Sequence, residues 1–158
     1  RGQFDKLVSV EMIEAVGHKY LPTFFTKCNS LLKPGGRMAL QAILMNDANY
    51  PTYLRSTDFI REFIFPGGCL PCQSGIDEIR SSSTELETLS SRDITSHYAE
   101  TLKRWRTSVH ESSSAIHALG FDERFLRLWN YYLAYCEAAF EERHCTTIQA
   151  TYRRATSP

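Results

Sequence analysis

Neither sign of charge dominates this sequence of 158 residues. It has 18 Lys and Arg residues against 18 Asp and Glu residues, so its formal net charge at neutral pH is zero. Without a basic excess, the chain creates no global field that would attract nucleic acid, and only a weak long-range attraction to anionic lipid. Nucleic acid is therefore not expected as a partner.

Long apolar runs are also absent. None approaches the ~18–20 consecutive apolar residues that a transmembrane helix needs. The first ten residues, RGQFDKLVSV, contain no apolar segment typical of a signal peptide, which favours a cytoplasmic protein. The chain begins without Met, and we interpret it as a piece of a longer protein that starts inside a domain.

Several motifs that carry chemistry are missing. No Gly-rich G-x-G-x-x-G turn follows a strand, so a usual cofactor-binding turn is absent here or lies upstream of Arg1. No G-x-S-x-G nucleophile elbow is present, which argues against an esterase. Cys69 and Cys72 form a C-x-x-C pair, but no second pair of ligands accompanies them, and we predict loop cysteines and no metal site.

The first 44 residues predict a strand–helix–strand unit. Residues 6–12 (KLVSVEM) have the composition of a buried strand, and residues 18–32 have apolar positions at helical spacing. Residues 33–36 (KPGG) predict a turn, and residues 37–44 (RMALQAIL) predict a second strand. A βαβ unit of this kind indicates a parallel sheet with a right-handed crossover.

The rest of the chain continues the alternation of helices and strands. The pattern predicts helices over 50–65, 76–80, 96–119 (one or two) and 122–143, a polar turn over 81–84, a weak strand over 86–94, an edge strand over 145–152 and a frayed tail over 153–158. The fold class is therefore α/β, and the chain is typical of the second half of a doubly wound, Rossmann-like sheet with added helices. We predict a single partial domain over residues 1–158.

The most unusual segment is residues 63–71, FIFPGGCLP. An aromatic and aliphatic run ends at Pro66, two glycines follow, and Pro71 turns the chain again. Because Gly permits backbone angles that other residues resist and Pro fixes φ, this segment predicts a defined loop beside an apolar surface.

Two constellations are candidates for chemistry. Glu11, Glu14 and His18 follow the first strand, where ligands bind in open parallel sheets, so they could form an acid–base group or only the polar start of a helix. Tyr132 and Phe140 flank Cys136 at intervals of four on a long helix, so the three residues share one face. That face could line a ligand channel or belong to the core.

Five segments, in matching order, resemble the cyclopropane-fatty-acyl-phospholipid synthases and mycolic acid cyclopropane synthases. The segments are VSVEMIEAVGHKYLPTFF, LLKPGGRMALQAI, FIFPGGCLP, HYAETL and GFDERFLRLWNYYLAYCEAAF. The resemblance implies the C-terminal part of a class I methyltransferase that uses S-adenosylmethionine to add a methylene to the cis double bond of an unsaturated phospholipid acyl chain. It also implies peripheral membrane contact, leaves a homodimer open, and implies that the main cofactor site lies upstream of Arg1.

The resemblance also assigns site residues. Glu14, Gln41, Ile43 and Tyr98 match positions that hold a bound bicarbonate, which acts as the base, and Phe65, Tyr132, Cys136 and Phe140 match positions that bind the acyl chain. Gln41 departs from the family, which commonly has His there. A carboxamide can donate a hydrogen bond to an anion, but it cannot titrate near neutral pH as His does.

Two other interpretations stay open. The chain could be a noncatalytic lipid-binding remnant on a methyltransferase scaffold, or part of a related methyltransferase that acts on another acceptor. We expect the isolated fragment to be inactive.

Overall fold

The structure is a computed structural model that describes residues 2–156. The strands are β1 (Phe4–Val10), β2 (Leu32–Met45), β3 (Leu86–Asp93) and β4 (Cys145–Arg154), and the helices are α1 (Leu21–Leu31), α2 (Tyr50–Arg55), α3 (Phe59–Phe63), α4 (Gln73–Ser83), α5 (Thr95–Glu111), α6 (Ser113–Ala118) and α7 (Glu123–Glu141). The chain divides into two compact units. The sheet unit runs to Asp93 and resumes at Thr146, and the helical unit is Ile94–Cys145.

The four strands form one mixed sheet in the order β1-β2-β4-β3. β1 and β2 are parallel, with Leu7 opposite Met38 and Val10 opposite Gln41, and α1 connects them. The predicted βαβ unit is therefore confirmed. β3 and β4 are antiparallel, so the sheet combines a parallel half and an antiparallel half.

The predicted turn at residues 33–36 is a bulge at the start of β2. Phe4 pairs with Leu32 and Lys6 pairs with Arg37, so four residues of β2 stand opposite Asp5 alone. Gly35 has a φ of 76°, and a Cβ on Gly36 would lie 2.8 Å from the carbonyl oxygen of Lys33. Glycine is needed at both positions because one requires left-handed backbone and the other a close backbone approach.

Two predicted elements have different limits in the structure. The helix expected over residues 50–65 is interrupted between α2 and α3, because the Asp58 carboxylate accepts a 2.9 Å hydrogen bond from the backbone N–H of Arg61 and starts a new helix there. The prediction of a polar turn over residues 81–84 is wrong, because Ser81 to Ser83 form the last turn of α4.

The last strand is also placed differently from the prediction. β4 lies between β2 and β3, so β3 and not β4 is the edge strand. Arg153 and Arg154, expected in a frayed tail, belong to β4 and pair with Glu87 and Glu85 at 2.7 and 2.9 Å. Residues 157 and 158 of the predicted tail lie outside the described residues.

The core of the sheet unit lies on one face of the sheet. It joins α1 and α4 to alternate residues of the strands, and its buried members are Ile13, Leu21, Phe25, Cys28, Leu32, Met38, Leu40, Ala42, Leu44, Ile76, Leu86, Ile148, Ala150 and Tyr152. Because successive side chains of a strand point to opposite faces, the intervening residues of β2, including Gln41 and Ile43, lie on the other face. On β1, Val8 and Val10 are 70% and 59% exposed. We call this second face the open face.

The helical unit is built on α5 and α7. Leu102 of α5 and Leu133 of α7 are both 2% exposed, and Arg106 of α5 pairs with the buried carboxylate of Glu137 of α7 at 3.0 Å. Asp122 caps α7 as predicted, because its carboxylate accepts a 2.8 Å hydrogen bond from the backbone N–H of Phe125. Within residues 2–156, no helix has the length and apolar character needed to cross a membrane.

Candidate active site

The carboxylate of Glu14 lies at the carboxyl end of the parallel strands. After β1 ends at Val10, Glu11 adopts a left-handed φ of 47°, and a short 3-10 turn follows at Ile13–Ala15. The turn directs Glu14 to β2, where its Oε1 accepts a 2.6 Å hydrogen bond from the backbone N–H of Ile43. Glu14 therefore accepts the hydrogen bond from β2 that a backbone carbonyl of β1 would accept if that strand continued.

The second carboxylate oxygen of Glu14 is a buried acceptor. Among the residues that the structure describes, no group donates a hydrogen bond to Oε2. Burial raises the pKa of Glu14 above its usual value, the backbone N–H groups of Ile43 and of Glu14 itself oppose this effect, and the charge of Glu11 adds to it. An unpaired buried oxygen costs free energy, and protonation of this carboxyl group reduces that cost.

Gln41 is held from both sides on the open face. Its Nε2 donates a 2.7 Å hydrogen bond to Oε1 of Glu11, and its Oε1 accepts a 2.8 Å hydrogen bond from Nε2 of Gln149 on β4. The backbone N–H of Glu11 also donates to the carbonyl of Gln41 at 2.9 Å. Sequence reasoning missed Gln149. The available signal was the alternation on β4, where the neighbouring residues Ile148 and Ala150 are buried.

The Gly-Gly loop at residues 63–71 is ordered by specific contacts. Gly67 has a φ of 84°, and the N–H of Gly68 donates to the carbonyl of Phe65 at 2.9 Å. The N–H of Cys69 donates to the carbonyl of Glu14 at 2.8 Å, so the loop supports the segment that carries the carboxylate. The side chain of Phe65 is 56% exposed.

The remaining predicted residues lie in the helical unit. The ring of Tyr98 on α5 packs against the ring of Phe140 on α7 with centroids 4.7 Å apart, and Phe140 is 4% exposed. Tyr132 packs against Trp129 at 5.0 Å, and Tyr132 and Cys136 are half-buried. The structure thus brings Tyr98 and Phe140 together in one unit, and Glu14 and Ile43 together in the other.

The structure of the chain is that of part of a Rossmann-like, class I S-adenosylmethionine-dependent methyltransferase fold. The cyclopropane synthase MmaA2 from Mycobacterium tuberculosis superposes with a TM-score of 0.84 at 23% identity, over 96% of this chain and 56% of that one. Mycolic acid cyclopropane synthase CmaA1 complexed with SAH and CTAB also gives a TM-score of 0.84, at 25% identity, over 97% of this chain and 56% of that one.

The sequence defines the family. Residues 1–150 match the family described as mycolic acid cyclopropane synthetase, and the chain belongs to this family. It is 40% identical over 157 residues to tuberculostearic acid methyltransferase UfaA1 of Mycobacterium tuberculosis, and the alignment covers 99% of this chain and 37% of that protein. It is 34% identical over 152 residues to cyclopropane-fatty-acyl-phospholipid synthase of Escherichia coli K12, over 96% of this chain and 38% of that protein.

The comparisons confirm the family and the fold class predicted from the sequence. They also show that the chain spans between one third and two fifths of the length of these two curated relatives.

Proposed function

We propose that the full-length protein transfers a one-carbon unit to the cis double bond of an unsaturated phospholipid acyl chain, as a cyclopropane synthase. The observation that carries this proposal is Glu14, whose Oε1 is fixed by Ile43 while its buried Oε2 has no partner in the described part of the chain. When bound, S-adenosylmethionine supplies the methyl group. A proton must leave the carbon skeleton as the ring closes, so the product gains CH₂ and the reaction needs a base.

A small acid with a hydroxyl group, such as bicarbonate, fits the polar groups of this site. The Oε2 of Glu14 can accept a hydrogen bond from that hydroxyl, and the second Nε2 hydrogen of Gln41 can donate to the anion. Because the N–H of Ile43 donates to Glu14, Ile43 serves the site by holding the carboxylate. Bicarbonate in this place would supply the base.

The acyl chain is proposed to lie against the aromatic residues. Tyr132, Cys136 and Phe140 share one face of α7 in the helical unit. Aromatic faces stabilise a nearby cation by about 1–2 kcal/mol each, and an apolar lining excludes the water that would capture a carbocation. Since the acyl chain belongs to a membrane lipid, we propose a cytoplasmic enzyme in peripheral contact with the bilayer.

A related methyltransferase chemistry is the second candidate. Gln41 replaces the His that the resemblance leads one to expect, and Gln cannot take up the proton. The relative with 40% identity is named a tuberculostearic acid methyltransferase and not a cyclopropane synthase. Both observations favour an enzyme that methylates a fatty acyl chain and does not close a ring.

Product analysis tests the proposal and separates the two candidates. The protein in its full natural length is incubated with S-adenosylmethionine carrying a ¹³C methyl group and with vesicles of an unsaturated phospholipid. We expect acyl chains heavier by one labelled CH₂, with the NMR signals of ring methylene protons. A labelled methyl branch or methylene branch without a ring would favour the second candidate.

The Glu14→Gln variant is the control for the site. Replacing the carboxylate removes the acceptor that orients the base, and we expect turnover to fall by about tenfold or more, the scale of a lost hydrogen bond to a charged group. Unchanged turnover would remove Glu14 from the mechanism. Absence of any labelled lipid with the wild-type protein would contradict both catalytic candidates and favour the noncatalytic remnant.

A further inference from the structure

Glu11, Gln41 and Gln149 form a hydrogen-bonded row across three strands on the open face. Glu11 follows β1, Gln41 lies on β2 and Gln149 lies on β4, so one side chain comes from each neighbouring strand. The distances within the row are 2.7 Å from Gln41 to Glu11 and 2.8 Å from Gln149 to Gln41.

The chemistry of the row fixes the orientation of the central amide. A carboxylate can only accept hydrogen bonds, so the nitrogen of the Gln41 amide must face Glu11, and its oxygen then accepts from the Nε2 of Gln149. Glu11 engages one of the two Nε2 hydrogens, and the other is the one that Gln41 can offer to a ligand. Flipping the amide would place its oxygen against the carboxylate, which loses the bond to Glu11.

The backbone of Glu11 shows that this contact is maintained against a local cost. Glu11 has a φ of 47°, a left-handed conformation that is unfavourable for a residue with a side chain and favourable for Gly. Its N–H is at the same time bonded to the carbonyl of Gln41. The main chain and the side chain of Glu11 therefore both engage one residue of β2.

We propose that Glu11 and Gln149 are positioning residues that hold the Gln41 amide in the single orientation that presents an N–H to the reaction site. This inference rests on the proposed function, because it gives the oriented N–H a role in binding the base. Glu11 itself need not touch the substrate. In this arrangement a Gln at position 41 can replace a His, since two neighbours impose the donor orientation that a freely rotating amide lacks.

Variants at position 11 test the proposal in the full-length protein. Glu11→Gln keeps an acceptor oxygen for Gln41 but can also donate, so it fixes the amide less firmly, and its turnover is expected to lie between those of the wild type and Glu11→Ala. Glu11→Ala removes the acceptor, and we expect kcat to fall about tenfold or more, the usual scale for a lost hydrogen bond to a charged group, with KM for S-adenosylmethionine and for the lipid unchanged. Gln149→Ala is expected to lower kcat in the same direction.

Two comparisons separate positioning from a loss of folding and from a failure of the proposed function. The matched control Glu87→Ala removes another exposed carboxylate, which pairs with Arg153 on the antiparallel side of the sheet, and should leave kcat unchanged. Added bicarbonate should partly restore Glu11→Ala, because a weakened site fills at higher concentration, whereas a misfolded protein would not respond.

The results that would overturn the inference are specific. Turnover of Glu11→Ala within twofold of wild type would show that the orientation of Gln41 has no role. Equal loss in Glu11→Gln and Glu11→Ala would show that the charge of Glu11 matters and not its hydrogen bond. If the wild-type protein forms no labelled lipid, the proposed function fails first, independently of Glu11.

Discussion

The carboxylate of Glu14 and the backbone N–H of Ile43 are joined by a 2.6 Å hydrogen bond, which links the segment after β1 to the carboxyl end of β2. One oxygen of Glu14 therefore completes the hydrogen bonding of a strand, while the other has no partner in residues 2–156. A single side chain thus has a structural role through Oε1 and a proposed catalytic role through Oε2. The two roles respond differently to substitution.

The structural role of Glu14 predicts a difference between two variants. Glu14→Ala leaves the N–H of Ile43 without its acceptor, and we expect the free energy of unfolding to fall by about 1–3 kcal/mol. Glu14→Gln keeps an oxygen in the same place and should lower it by less. Urea denaturation of the full-length protein measures both values. Equal stability of the Ala variant and the wild type would show that water satisfies Ile43 equally well.

The raised pKa of Glu14 predicts a pH dependence of stability. Burial makes the pKa higher in the folded state than the ordinary value of 4.5 in the unfolded chain, so the folded state binds the proton more tightly. The contribution of this group is then fully favourable below pH 4.5 and is lost as the pH rises through the folded-state pKa. As the pH rises over that interval, we therefore expect the wild type to lose stability relative to Glu14→Gln.

Denaturation curves at a series of pH values, with both proteins measured in parallel, check this prediction. The Gln variant cannot titrate at position 14, so it removes this one contribution and retains those of all other groups. A difference that stays constant between pH 4 and pH 8 would contradict it.

The sequence was sufficient for the fold because local signals agreed with the tertiary structure. The apolar periods of β1, α1 and β2 and the capping residue Asp122 each specify a local structure that packing leaves intact, whereas the KPGG segment, predicted as a turn, is a bulge within β2. The order of the sheet was harder, since Cys145–Arg154 has the same composition whether it lies at an edge or between two strands. Its position depends on pairing with β2 and β3, which are more than fifty residues distant.

The site was predictable only in part for the same reason. Glu14 follows a strand, and its position at the carboxyl end of the sheet is a general property of open α/β folds. The contact between Gln41 and Gln149 joins residues 108 positions apart, and the alternation on β4 indicates only the face on which Gln149 lies, not its partner. The left-handed backbone of Glu11 was also hidden, because Glu carries no preference for that conformation.

The cap of α7 predicts a modest and well-defined loss of stability. Asp122→Ala removes the acceptor for the N–H of Phe125, and we expect the free energy of unfolding to fall by about 1 kcal/mol. Asp122→Asn keeps the acceptor and should recover most of that loss, except for the interaction of the charge with the helix dipole. Urea denaturation of both variants measures the effect, and identical values for Ala and Asn would show that the capping bond is not responsible.

The buried thiols predict slow alkylation of the native protein. Burial raises the pKa of Cys28 to about 11 and that of Cys145 to about 12, and the two residues are 5% and 6% exposed. At pH 8 fewer than about one in a thousand of these thiols is ionised. Iodoacetamide labelling followed by mass spectrometry should leave both unmodified in the folded protein and modified after denaturation. Rapid labelling of either in the native state would contradict the packing described above.

The ion pair between Arg106 and Glu137 predicts a strong dependence of one residue on the other. Glu137 is 8% exposed, and its Oε2 lies 3.0 Å from Nε of Arg106. The buried carboxylate is therefore paired with the guanidinium of Arg106. Arg106→Met would leave the carboxylate buried without that donor. We expect the free energy of unfolding to fall by about 2–4 kcal/mol, because an unpaired buried charge is more costly than a missing pair.

The double variant Arg106→Met and Glu137→Leu separates the cost of the unpaired charge from the value of the pair. Replacing both partners by apolar residues of similar size removes the stranded carboxylate and keeps the packing between α5 and α7, so stability should recover most of the loss of the single variant. Denaturant midpoints of the wild type, both single variants and the double variant complete the cycle. A double variant as unstable as Arg106→Met would show that the guanidinium contributes mainly through packing of its own side chain against α7.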